Sequence, residues 1–193
     1  MNRLILISFI SILSANSLTV LDHQISSHIE GTNDHIILDF SMETFSLLTP
    51  VIEWSWIYHS WVYDKSSMKY QMGILGMITT YSLVGMTKYA FKRKRPKRNY
   101  KPRLWNTRLT PSFPSGHVAS SALWATIFSP NQKIGPLSYI ALSAWSQVYV
   151  GNHYFSDVFT GAIVGSIIGK IIRTKYSKNF HNPSTSLIFQ ITF

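Results

Sequence analysis

The chain has 193 residues and no cysteine, which excludes disulfides, thiolate catalysis and cysteine-based metal sites and makes one domain with a substantial core the expected organisation. Eighteen Lys and Arg against eight Asp and Glu give a formal charge of +10, so the partner should be anionic: nucleic acid, a membrane surface or a phosphorylated substrate. With 46% hydrophobic residues and a mean hydropathy of +0.08, the composition lies between a soluble domain and a polytopic membrane protein and excludes neither.

The first seventeen residues place Arg3 before an apolar run, Leu4 to Leu13, with a small-residue exit at Ala15 and Ser17. This is the layout of a secretory signal peptide, and equally of an uncleaved N-terminal anchor. Both imply export. Residues 18–49 are mixed and polar; Asp22, His23, His28, Glu30, Asp34 and His35 fall at no metal-ligand spacing and read as an amphipathic lead-in with solvated histidines. Residues 50–64 gather Trp54, Trp56, Tyr58, Trp61 and Tyr63, a density that suits a membrane interface and an ordinary helical core alike.

Gln71 to Thr87 carries no charge and fits either a short membrane span or a buried helix. Nine basic residues follow between Lys92 and Arg108, where Pro96 and Pro102 should enforce a loop. Three further apolar helices are expected over Ser115–Ser129, Ile134–Val150 and Asp157–Ile172. In the last, Gly161, Gly165 and Gly169 recur at every fourth position and would let two helix backbones approach closely. Strand-like alternation and repeats of 20 to 50 residues are absent, so the expected fold is an all-α bundle of about five to six helices.

The stretch FPSGHVAS, Phe113 to Ser120, supplies a turn and then a helix N-terminus, where unpaired N–H groups and the positive end of the dipole favour an anion. A basic run alone is usually a solvated face, and a His near an Asp is usually a hydrogen-bonded pair. If alternate helices run antiparallel through short connections, however, Lys88 and Arg95, His117, and His153 with Asp157 all fall at one end of the bundle. Together they make a phosphate site.

The same residues carry a resemblance. K-x6-R-P appears from Lys88 to Pro96, P-S-G-H from Pro114 to His117, and a variant of S-R-x5-H-x3-D as Ser146, Gln147, His153 and Asp157. In this order they resemble the signature of the type 2 phosphatidic acid phosphatase (PAP2) superfamily, which includes bacterial class A acid phosphatases and vanadium-dependent haloperoxidases. The resemblance implies one phosphatase domain over residues 18–193 that needs no metal or cofactor. It implies that His153 attacks phosphorus to form a phosphohistidine, that Asp157 orients it, and that His117 protonates the leaving oxygen and then activates water. Lys88, Arg95, Ser115 and the Gly116 N–H would bind the phosphoryl oxygens, together with Gln147.

Gln147 departs from the pattern, because the family usually has an arginine there. A permanent bidentate cation has become a neutral amide. Either the site is depleted, or Arg93, Arg98, Arg103 or Arg108 compensates, or the protein binds anions without cleaving them. By resemblance the substrate is a phosphorylated lipid or another phosphomonoester, met at an anionic membrane surface, with no role for nucleic acid. The implied location is the membrane, with the site facing the periplasm or exterior, although a basic loop facing outward runs against the positive-inside rule. A soluble periplasmic non-specific acid phosphatase is the alternative.

Overall fold

The computed structural model describes residues 19–63, 67–105, 107–108, 111–128 and 134–181; the leader over residues 1–17 and the Pro130–Asn131 break lie outside them. Among the described residues there are six helices and no strand. A helical segment over residues 19–29 (α1) is followed by α2 (Ile36–Val62), α3 (Ser67–Phe91), α4 (Gly116–Phe128), α5 (Ile134–Tyr149) and α6 (Phe155–His181).

Short α4 is the axle of the bundle, with nine of its thirteen residues buried. Val118, Ala119 and Ala122 are fully enclosed, and Leu123 and Ile127 pack with Met77 of α3 and Ile168 and Ile172 of α6 in the largest apolar cluster. The glycine stripe of α6 faces this axle. A Cβ at Gly161 would stand 2.6 Å from the Ser115 carbonyl oxygen, and one at Gly165 would overlap the Ala119 carbonyl. The backbones of α4 and α6 therefore touch, which holds His117 and Asp157 at one level. Gly165→Ala should force the helices apart at a cost of about 1–3 kcal/mol. A lowered thermal midpoint in detergent, with activity falling alongside it, is the expected result.

Two expectations need correction. The segments 18–49 and 50–64 do not divide at Pro50: one 27-residue helix, α2, runs through it. A proline in a helix interior removes the N–H that would bond the carbonyl four residues earlier. Here that carbonyl belongs to Ser46, and Gln147 Nε2 donates to it at 3.2 Å from α5. The lead-in is also not simply solvated. His23, His28 and His35 are exposed as expected, but Asp22, Asp39 and Glu43 are buried.

These acids bind the basic loop. Glu43 accepts the Tyr100 hydroxyl at 2.6 Å and the N–H groups of Arg103 and Leu104. Asp39 accepts Arg103 at 3.0 Å and the Tyr149 hydroxyl at 2.7 Å, while Glu30 accepts the N–H groups of Asn99 and Tyr100. Two of the nine loop cations, Arg93 and Arg103, are thus paired internally, and the backbone N–H bonds to Glu30 and Glu43 fold residues 92–108 over one end of the bundle.

Candidate active site

Three helix junctions meet under that loop. The first is the end of α3, where Lys92 takes a positive φ of 49° and its N–H caps the Lys88 carbonyl, releasing the chain into the loop. The second is the start of α4. The Ser115 N–H donates to the Asp157 carbonyl at 3.0 Å, tying this junction to the third, the turn between α5 and α6.

Asp157 organises the third junction. It lies in the first turn of α6, where a carboxylate is favoured by the dipole, and its Oδ2 accepts the Tyr154 N–H at 3.0 Å in half of a capping box. The same oxygen lies 3.5 Å from His153 Nδ1, beyond ordinary hydrogen-bond length, and Nδ1 has no hydrogen-bond partner among the described residues. Its Oδ1 receives Arg93 Nη1 at 2.6 Å. Arg93 also pairs with Asp22 of α1 at 2.6 Å and covers the Tyr154 ring.

Helix α1 completes the start of α6. The Phe155 N–H donates to Ser26 Oγ and the Ser156 N–H to Asp22 Oδ1, so two orphan donors of α6 are satisfied from another helix. The Asp22–Arg93–Asp157 bridge was not legible in the sequence, since a lone Asp in a polar lead-in gives no sign of a partner 71 residues away.

His153 is 3% exposed, and the surroundings of its two ring nitrogens assign its protons. Nε2 lies 3.3 Å from Arg95 Nη1, a group that can only donate, so Nε2 must offer its lone pair. The proton then resides on Nδ1, facing Asp157. Burial, followed by the positive charges of Arg95 and Lys88, pushes the imidazole down to about 4 against the pull of Asp157. At neutral pH it is an uncharged base with its lone pair toward the cavity.

A linkage test follows. The folded chain holds His153 neutral down to about pH 4, whereas the unfolded chain takes up a proton near the ordinary value of about 6.5. The unfolded state binds more protons in that window, so the His153 contribution to stability falls as pH drops from 6.5 towards 4. Thermal midpoints at pH 7.5 and 4.5 should show wild type losing more than His153→Gln.

The cavity beside His153 has a volume of about 300 Å³. Of the eight residues expected at the site, Arg95, His117, Gln147 and His153 line it. Asp157 stands behind His153. Lys88 Nζ donates to the carbonyls of Pro111 and Ser112 at 2.8 and 2.9 Å and lines an adjoining cleft that it shares with Arg95. Ser115 is buried, its Oγ without a hydrogen-bond partner among the described residues, and Gly116 is the first residue of α4.

Gln147 reaches the cavity wall with both ends of its amide engaged: Nε2 on the Ser46 carbonyl, Oε1 accepting from Asn152 Nδ2 at 3.1 Å. Among the four loop arginines, Arg98 and Arg108 line the cavity, while Arg93 and Arg103 are paired with the buried acids. Among the described residues no group of His, Cys, Asp and Glu forms a metal-binding cluster.

Comparison with known proteins places this chain in a family. The PAP2 superfamily sequence model matches residues 72–181. The lipid A 1-phosphatase of Porphyromonas gingivalis is 30% identical over 104 residues, which is 50% of this chain and 21% of that protein, so the chain spans about a fifth of the length of this curated relative. The crystal structure of Aquifex aeolicus LpxE is similar with a TM-score of 0.61 and 26% identity, over 78% of this chain and 93% of that one. The fold is also that of a transmembrane PAP2 type phosphatidylglycerolphosphate phosphatase from Bacillus subtilis, with a TM-score of 0.67 and 23% identity over 91% of this chain and 96% of that one.

Proposed function

Since the chain belongs to the PAP2 superfamily, we propose that it is a metal-independent phosphatase acting on a lipid phosphate or diphosphate through a phosphohistidine at His153. The observation that carries this reading is the direction of the His153 lone pair: Nε2 faces a cavity in which Arg95 stands 3.3 Å away and His117 forms part of the same wall.

In the first step Nε2 forms a bond to phosphorus as the ester P–O bond breaks, and the leaving oxygen takes a proton from His117. Burial, followed by the charges of Arg95 and Lys88, holds the free His117 imidazole down to about 4, so it is protonated only when the bound phosphate's negative charge offsets them. The Nδ1 proton stays on the ring, where Asp157 stabilises the positive charge that develops. In the second step His117 removes a proton from water, whose oxygen displaces Nε2 from phosphorus and frees phosphate. Arg95 holds the equatorial oxygens, whose charge must be stabilised without reorganisation. Lys88 and the Ser115–Gly116 turn support the same oxygens from the α3 and α4 side.

A lipid substrate is supported by the outer face. Phe159, Ile163, Ile167 and Ile171 form an exposed stripe along α6, and Trp54, Trp56, Tyr58 and Trp61 are exposed on α2. Residues Phe155–Tyr176 are long and apolar enough to cross a membrane, the one helix among the described residues that meets that test. With these faces against lipid, the cavity opens at the end of the bundle where headgroup phosphates lie; an exterior placement follows the family resemblance and runs against the positive-inside rule.

The test is phosphate release by the purified full chain, with and without detergent, from phosphatidic acid, phosphatidylglycerol phosphate, prenyl diphosphate and lipid A. Turnover of at least one, unaffected by EDTA, is expected. Release only after a divalent metal is restored would overturn the mechanism, and no release from any of the four would leave an anion-binding protein.

A further inference from the structure

We propose that Arg98, aimed through Asn152 by Gln147, is a phosphate-binding residue that supplies the second guanidinium of this site, a claim that rests on the phosphatase reading above. The turn of residues 151–153, which leads into the nucleophile, collects three guanidinium groups. Arg108 Nη1 donates to the Gly151 carbonyl at 2.6 Å, Arg98 Nη2 to Asn152 Oδ1, and Arg95 Nη1 to the Asn152 carbonyl while lying beside His153 Nε2. All three line the cavity.

The placement of Arg98 is built into the backbone. Gly151 has φ +65°, a conformation that favours glycine, and a Cβ there would stand 2.9 Å from Arg98 Cγ. The stem of Arg98 therefore passes where any other residue would put its side chain. Its head is set by a relay: Gln147 Oε1 accepts from Asn152 Nδ2, which turns Asn152 Oδ1 outward to receive Arg98. Gln147 is held in turn by the Ser46 carbonyl that Pro50 leaves without a helical donor.

Position 147 thus carries no cation but fixes one. Burial, followed by the neighbouring charges of Arg108 and Arg95, pushes the Arg98 guanidinium down to about 10. Three cations crowded around one cavity repel one another, and an anion among them removes the repulsion.

The experiment uses the purified full chain and two readouts, orthovanadate affinity by calorimetry and kcat on one aryl phosphate. Arg98→Ala should weaken orthovanadate binding about tenfold or more and lower kcat by about 10²- to 10³-fold. Gln147→Arg alone should bring no gain, because it breaks the relay and crowds Arg98. In the Arg98→Ala background it should restore both readouts in part.

Should Arg98→Ala fail to fold, Arg98→Lys decides by the same readouts, since it keeps the stem and the charge but not the fork. Wild-type orthovanadate affinity and kcat in the Arg98 variant, or a rise in kcat with Gln147→Arg alone, overturns the proposal. Because orthovanadate binding needs no turnover, a chain that releases no phosphate yet loses orthovanadate with Arg98 would sink the phosphatase reading and leave this one standing.

Discussion

His153→Ala is expected to lower phosphate release by about 10⁴-fold or more, the scale on which loss of a nucleophile acts. The proposed covalent route needs an atom with an available lone pair, and His153 Nε2 is the candidate, desolvated, uncharged and 3.3 Å from a guanidinium. The fold should survive. His153 is a small part of the α5–α6 turn, whose geometry is kept by backbone bonds from the Gly151, Asn152 and His153 N–H groups to carbonyls of α5. The check is kcat together with the helical circular dichroism signal in detergent. A variant with near wild-type turnover would remove His153 from the role.

The second large effect is expected at His117, and it should depend on the substrate. His117 occupies the first turn of α4 on the cavity wall, and its carbonyl accepts the hydroxyls of Ser120 and Ser121 at 2.9 Å, which stiffens the turn that carries it. As the general acid it should contribute about 10²- to 10⁴-fold with an alkyl phosphate, whose leaving oxygen needs a proton. An aryl phosphate with a strongly acidic leaving group needs none. The His117→Ala loss in the first step should therefore be much smaller with p-nitrophenyl phosphate, measured as the burst of phenolate. An equal loss on both substrates would show that His117 acts on something other than the leaving oxygen.

The junctions that carry the candidate site were readable because their signals are local. H-x3-D places a histidine just ahead of a helix and an aspartate in its first turn, P-S-G-H opens a helix, and K-x6-R-P closes one. Antiparallel alternation of the helices then brings the three junctions to one end. What could not be read depends on partners far apart in the chain. Asp22 meets Arg93 across 71 residues, and Gln147 meets the Ser46 carbonyl across 101. Pro50 did carry a signal, since a proline inside a helix predicts an orphan carbonyl at Ser46, but the sequence does not say which side chain answers it. For the same reason a count of lysines and arginines cannot show that Arg93 and Arg103 are paired with Asp22 and Asp39.

Gln147 gains its meaning only from this context. In isolation it is a lost cation. In the fold it closes the helix defect at Pro50 and orients Asn152, two tasks for which a neutral amide with one donor end and one acceptor end is suited.

The phosphohistidine itself is the most direct test. The purified chain, mixed with 32P-labelled substrate and quenched with alkali within milliseconds, should carry label on a single peptide containing His153. That label should be stable in base and lost in acid, as a P–N bond is. His117→Ala with a p-nitrophenyl phosphate substrate should accumulate more of it, because activation of water for the second step is impaired, and His153→Ala should carry none. Turnover with no label at any quench time, or label that persists in His153→Ala, would contradict the account.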